Sequence, residues 1–184
     1  MALTEADFML ALHGYIVAVT GLDGARVFRG NQSRMVLPKS GAYCIYTPII
    51  RQRRGTNVYS FDAEGLPDNK NGVDSITALI LIDVQVDFYA DSASQNAQML
   101  EIASRSYIGT NYFKQLDTPV NVRVCTAENP RNLTGIDASN QYEERWSVTI
   151  TTEVNASITN NLPWFEDFNF VAIKNVDVYF PPTE

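Results

Sequence analysis

Residues 76–89 read ITALILIDVQVDFY, and apolar side chains occupy every second position of this stretch. Side chains alternate between the two faces of a β-strand, so the pattern predicts a strand with one fully apolar face. We expect Ile80, Ile82, Val84 and Val86 to pack under the second predicted helix and to hold the fold. The other face changes from apolar to polar midway, which predicts that its first half is covered too. The apolar face consists of Ile76, Ala78, Ile80, Ile82, Val84, Val86 and Phe88.

A second long strand is predicted over residues 142–158. Strands usually have 3–10 residues, so we expect both long strands to bend, to bulge or to project beyond the body of the domain. The apolar face of the second strand consists of Tyr142, Trp146, Val148, Ile150, Val154 and Ile158.

Two stretches have the apolar spacing of helices. The first runs from Thr4 to Val19, with acidic residues in its first turn. The second runs from Ala93 to about Tyr107, and Ser92 with Gln95 three residues later predicts a capping box.

Shorter strands and turns complete the predicted order of elements. The stretch 52–57 is predicted to be a hairpin tip, and residues 64–74 and 128–140 are predicted loops. This order predicts an α+β fold, in which two helices pack on a largely antiparallel or mixed sheet with long strands. We expect a single domain over residues 1–184. The short strands are predicted at 26–29, 34–37, 42–51, 58–63, 119–126 and 170–180.

The composition argues against several classes of partner. The 184 residues include 14 basic and 21 acidic side chains, for a net charge of -7. Proteins that hold nucleic acid neutralise its phosphates with clustered lysine and arginine, so we expect any relation to DNA to be passage. No apolar run approaches the roughly 20 residues of a membrane-spanning helix, which predicts no membrane partner. The first ten residues lack the basic start of a secretory signal.

The residues that support catalysis are scarce. One histidine, His13, and two cysteines, Cys44 and Cys125, argue against a zinc site, and no glycine-rich phosphate loop occurs. We expect a hydrogen-bonded or exposed His13 and buried free thiols. The sequence therefore predicts no catalytic, metal-binding or cofactor-binding residues, and no enzyme. The alternatives are a metal-dependent nuclease or hydrolase that uses Asp83 and Asp87, and a monomeric adaptor domain.

Two clusters are candidates for an interface between proteins. Three arginines lie within four positions at the predicted hairpin tip, where they could pair with carboxylates of another subunit. Alternatively, they could only keep a strand edge from pairing. The second cluster combines charged and aromatic residues at the start of the second long strand, as interfaces often do. The candidates are Arg51, Arg53, Arg54, Tyr142, Glu143, Glu144, Arg145 and Trp146.

Three stretches, taken in order, resemble the phage neck (tail) terminator family. The resemblance extends from the first helix to about Val154 and assigns no role to the C-terminal strand and tail, residues 155–184. Its motifs are Val27–Gln32 with Leu37-Pro38; Val84–Tyr89 followed by Ala93, Ala97, Leu100 and Arg105-Ser106; and Arg131–Thr134 with Tyr142–Arg145.

The resemblance implies a structural virion protein with a tail-terminator-like fold. Its family forms rings of six copies that cap the finished tail tube and join it to a head-completion or connector protein. The implied partners are therefore other copies of the chain, the tail tube protein, the connector, and DNA as the passing genome. The implied location is the neck or tail of the virion, assembled in the host cytoplasm, and no cofactor is implied.

Overall fold

The computed structural model describes residues 5–33, 36–62, 71–116, 122–136 and 142–163. Its helices are α1 (Glu5–Thr20), α2 (Ala93–Ser104) and α3 (Tyr107–Lys114), with a 3₁₀ turn at Gly24–Arg26. Its strands are β1 (Val27–Arg29), β2 (Tyr43–Arg53), β3 (Val58–Asp62), β4 (Asn71–Tyr89), β5 (Val122–Ala127), β6 (Arg131–Asn132), β7 (Gly135–Ile136), β8 (Tyr142–Glu143) and β9 (Arg145–Pro163).

The described strands form one large mixed sheet and one small hairpin. The large sheet has the order β1-β2-β4-β9-β5, with β3 on the edge of β4 and β6 on the edge of β9. Only the β1–β2 pair is parallel among these described strands. The small hairpin pairs β7 with β8. The predicted α+β class with a largely antiparallel or mixed sheet is confirmed.

The centre of the sheet is the antiparallel ladder between β4 and β9. Each strand has 19 residues, and every one is paired, from Asn71 opposite Pro163 to Tyr89 opposite Arg145. At about 3.4 Å per residue, the ladder is about 60 Å long. The predicted loop at 64–74 is wrong for residues 71–74, which belong to β4, and its other residues lie outside the described ranges.

One face of the sheet carries the hydrophobic core. Ile82, Val84, Val86 and Phe88 of β4 are buried there with residues of α1, α2 and β9, whereas Ile80 is half-buried at the margin. Thr152 is a polar member of the same layer, and its hydroxyl donates to the Ile82 carbonyl oxygen at 2.9 Å. The core role predicted for the apolar face of β4 is therefore confirmed in its second half.

The predicted second helix is two helices. α2 ends at Ser104, and the Ser106 hydroxyl accepts a hydrogen bond from the Ile108 amide to begin α3, so three helices are described instead of two. The predicted capping box is wrong, because Ser92 has a left-handed backbone with φ 71 and makes no side-chain cap bond. The break at residues 105–106 lets α3 turn back against α1 and β5.

The predicted hairpin at 52–57 is also wrong. β2 and β3 do not pair with each other but follow one another along the same edge of β4, with Arg53 opposite Ile80 and Val58 opposite Thr77. Four residues of the connection therefore lie beside two of β4, so the stretch 54–57 is a bulge in one long edge. The predicted strand at 34–37 is not formed by Val36 and Leu37, and the strand predicted at 170–180 lies outside the described residues.

We expect Ile82→Ala to lower the free energy of unfolding by about 2–5 kcal/mol, the range for large-to-small changes in a core. The Ile82 side chain is almost completely buried beneath α1 and beside Val154. Denaturant titration followed by circular dichroism measures the change. A loss below about 0.5 kcal/mol, typical of a surface position, would contradict the placement.

Candidate assembly surfaces

Half of the long ladder extends past the helical layer. The layer ends at a small cleft where Glu5 and Phe8 of α1 meet Ile80, Ile82 and Val154. Beyond it lie β3 and the paired stretches 71–79 and 155–163, which together we call the ribbon. None of the described residues of the ribbon belongs to the hydrophobic core beneath the helices.

The ribbon has an apolar face that is open to solvent. Tyr59, Ile76 and Ile158 are direct neighbours across β3, β4 and β9, on the same side of the sheet as the core. Tyr59 is 66% exposed and Ile158 is 71% exposed, and Phe61 is exposed beside them. The sequence pattern assigned Ile158 correctly to the apolar face but did not reveal that the helices end before it.

The three candidate arginines do not act as one group. Arg51 forms an ion pair with Glu5 at 3.1 Å, and Glu5 also pairs with Arg29 at 2.6 Å, so Arg51 fixes the start of α1. Arg53 donates to the Gly55 carbonyl oxygen at 2.8 Å and to Asn57 at 2.6 Å. Arg54 is exposed in the bulge.

At the opposite end of the ladder, Arg145 forms an ion pair with a residue of its own chain. Its guanidinium pairs with the buried Asp87 carboxylate at 3.0 Å and lies 5.6 Å from the centre of the Tyr89 ring, which stacks on Tyr43. Gln85 donates to both Asp87 oxygens at 3.0 Å. Burial lowers the pKa of Arg145, but the hydrogen bond to Asp87 and the electrostatic influence of Asp87, Tyr89 and Glu143 together raise that pKa.

The candidate residues next to Arg145 in the sequence differ in their exposure to solvent. Glu143 accepts a hydrogen bond from the Tyr43 hydroxyl at 2.9 Å, and Glu144 accepts one from the Trp146 indole at 3.0 Å. Burial, and then the hydrogen bond to Glu143, raise the pKa of the Tyr43 hydroxyl. Trp146 packs against the core, whereas Tyr142 is 81% exposed. The prediction that Tyr142 shares the apolar face of the second long strand is wrong, because that strand begins at Arg145 and Tyr142 belongs to the separate β7–β8 hairpin.

We expect Asp87→Asn to destabilise the fold by about 1–3 kcal/mol, because Arg145 then loses its charged acceptor. Arg145 is about one third exposed, and solvent limits the effect to the lower part of that range. Denaturant unfolding of Asp87→Asn, Arg145→Gln and the double variant measures the coupling. The double variant should lose less than the sum of the two single losses, whereas strict additivity would contradict the pairing.

Asp83 and Asp87 do not form a metal site together. They lie four residues apart on one strand, about 13 Å at the rise of a β-strand, whereas ligands of one ion lie within about 2.6 Å of it. Asp83 accepts a hydrogen bond from Thr151 at 2.7 Å, and Asp87 is occupied by Arg145. In the part of the chain that the structure describes, no group of three metal-ligating side chains comes together.

The remaining reactive side chains have structural surroundings. His13 forms a 3.1 Å hydrogen bond with the Gly24 carbonyl oxygen, as predicted for a hydrogen-bonded helix histidine. Cys44 is a buried free thiol, as predicted, and burial raises its pKa to about 12, which keeps it protonated at neutral pH. The side chain of Cys125 lies outside the described residues.

Two residues of the family motifs, Gly30 and Arg105, make contacts that connect separate elements of the fold. The Gly30 amide donates to the Tyr46 carbonyl oxygen at 2.8 Å, and any Cβ at Gly30 would collide with the Thr47 side chain. The Arg105 guanidinium donates to the Ala127 carbonyl oxygen at 2.7 and 2.9 Å, which ties the end of α2 to the end of β5. The sequence analysis did not predict this role of Arg105. The position of an arginine directly after a helical stretch was the signal that could have indicated it.

Comparison with known proteins supplies the family. A search of curated proteins finds no significant match. None of the described helices is long and apolar enough to cross a membrane. The sequence profile of the phage neck terminator proteins matches residues 6–180, so the match continues well past Val154, where the resemblance was expected to end. The chain therefore belongs to the phage neck terminator family, whose members are structural proteins of the bacteriophage virion.

Proposed function

We propose that the chain is the subunit of a ring of six copies that caps the tail tube. On its other side the ring joins the head-completion or connector protein, and the genome passes through a central channel. Assembly takes place in the host cytoplasm before the neck is completed. The family membership supports a place in the neck, and the shape of the chain supports the ring.

The observation that carries the proposal is the ribbon. Nine residues of β4 extend past the helical layer, about 30 Å at the rise of a strand. Its apolar row, in which the half-buried Ile76 lies between the exposed Tyr59 and the exposed Ile158, is continuous with the hydrophobic core through Ile80. Exposed apolar side chains that lie together on one face of a sheet are typical of protein interfaces. In a ring of identical subunits, each ribbon has a neighbouring copy of the chain beside it, and that copy can cover the apolar row.

Closure into a ring follows from the kind of contact. A ribbon that docks on a different surface of the next copy makes a heterologous contact, which closes if the rotation between copies divides a full turn. Six copies would have a formal charge of 6 × -7 = -42. A channel through such a ring repels DNA phosphates and favours passage over binding.

The mass of the purified protein in solution tests the ring. Six copies of 20.6 kDa give a mass of about 124 kDa by light scattering or native mass spectrometry. Electron microscopy should show rings, either of the protein alone or on the ends of isolated tail tubes. A protein that stays monomeric at all concentrations, and that leaves tail-tube ends bare, would contradict the proposal.

A further inference from the structure

At the base of the ribbon, Arg53 and Arg54 carry positive charge and form no ion pair with another described residue. The segment 49–61 contains three arginines and no acidic residue. Arg53 is held by two neutral acceptors, Gly55 and Asn57, which fix its direction without cancelling its charge. Arg54 is exposed beside it. Exposed apolar side chains flank the two arginines, and we call this surface the shoulder: Ile49, Ile50, Arg53, Arg54 and Val58.

The other end of the ladder carries the opposite charge. Among the described residues, Glu143 and Glu144 accept hydrogen bonds from two neutral donors, the Tyr43 hydroxyl and the Trp146 indole. Asp91 is exposed and follows Ala90, whose amide donates to the Glu144 carbonyl oxygen at 3.1 Å. Two exposed apolar side chains of the β7–β8 hairpin lie beside these carboxylates. We call this surface the end patch: Asp91, Ile136, Tyr142, Glu143 and Glu144.

The two surfaces cannot meet within one chain. On β4, the shoulder lies beside Ile80 and the end patch beside Tyr89, nine residues apart. That separation is about 30 Å, far beyond the combined reach of an arginine and a glutamate side chain. Both surfaces have exposed apolar side chains, and their charges are complementary, which steers association and fixes the register of a contact.

We infer that the shoulder of one copy docks on the end patch of the next copy, and that this contact links the ring. Arg53 and Arg54 pair with the carboxylates of Glu143, Glu144 and Asp91, while the apolar residues of the two surfaces pack together. Because the surfaces differ, the contact is heterologous, as a ring requires. The inference rests on the proposed ring, for which it names the two contact surfaces.

Charge reversal on each surface tests the contact. Arg53→Glu/Arg54→Glu alters only the shoulder, and Asp91→Lys/Glu143→Lys alters only the end patch. Each double variant should raise the protein concentration needed for half assembly at least tenfold, and wild-type assembly should weaken as salt rises. The control Lys39→Glu/Lys114→Glu changes charge by the same amount as the shoulder variant, at exposed positions outside both surfaces, and should assemble like wild type. Circular dichroism and denaturant unfolding verify that each variant is folded.

Two further samples separate this contact from a general effect of charge. A mixture of the two variants should form rings in which the variants alternate, because both contacts between unlike subunits join opposite charges, whereas each variant alone brings like charges together. The chain that carries all four changes should form rings again. The inference is overturned if the shoulder variant assembles like wild type, or if the fourfold variant stays monomeric while it is folded. If wild type itself never self-associates, alone or on tail tubes, the proposed ring fails instead.

Discussion

Phe88→Ala should lower the free energy of unfolding by about 3–5 kcal/mol, the largest loss expected from a single change in this chain. The Phe88 side chain is 0% exposed, between Cys44 and Trp146 on the neighbouring strands. Removal of the ring leaves a cavity on a strand that is paired on both sides, and the two neighbouring strands limit collapse. Domains are typically stable by about 5–15 kcal/mol, so this variant should be partly unfolded at moderate temperature.

Denaturant unfolding measures this loss, and fluorescence of the neighbouring Trp146 reports on the same part of the core. Phe88→Leu is the matched control, since it nearly keeps the volume and should cost less than about 1.5 kcal/mol. A loss below about 1 kcal/mol in Phe88→Ala would show that the side chain is not enclosed as described.

Tyr59→Asp/Ile158→Asp should abolish ring formation and leave the folded monomer intact. Both side chains lie in the exposed row of the ribbon, so the charges remain solvated in a free monomer. In a ring the same charges would be buried without partners at every subunit contact, and each costs several kcal/mol. Light scattering should show one mass, 20.6 kDa, at concentrations where wild type is assembled.

Leu10→Asp/Tyr107→Asp is the control for this variant. Leu10 and Tyr107 are as exposed as the ribbon pair, but they lie on α1 and α3. This control should remain in rings. If the ribbon variant assembles like wild type, the open apolar row is not part of a subunit contact.

The alternation over residues 76–89 was sufficient to predict the centre of the sheet. A period of two determines which side chains share a face of a strand. Burial of one face then fixes the register of the strand, as it does for Val84, Val86 and Phe88. The same rule assigned Ile158 to the correct face. It did not predict exposure, since periodicity gives the direction of a side chain but not the length of the helical layer that covers it.

Two wrong predictions show the limits of what local sequence patterns can predict. A short basic stretch with a glycine, Arg53–Gly55, is typical of a hairpin, yet β3 pairs with β4 instead of β2. Apolar spacing continues through residues 93–107, yet the chain breaks at Ser106 to start α3. In both places the local sequence pattern is compatible with either arrangement. Distant partners, β4 for the bulge and α1 with β5 for α3, therefore decide between them.

The sequence by itself determined the α+β class, the two long strands, the apolar face of the core, and the motifs that mark a neck terminator protein. These follow from local spacing and residue type, which act over a few neighbouring positions. Only the tertiary structure decided that Arg51 pairs with Glu5 and that Arg145 pairs with Asp87, and therefore which charges stay available to a partner. The balance of charges at a surface depends on distances of a few ångströms between residues far apart in the chain, and packing alone sets those distances.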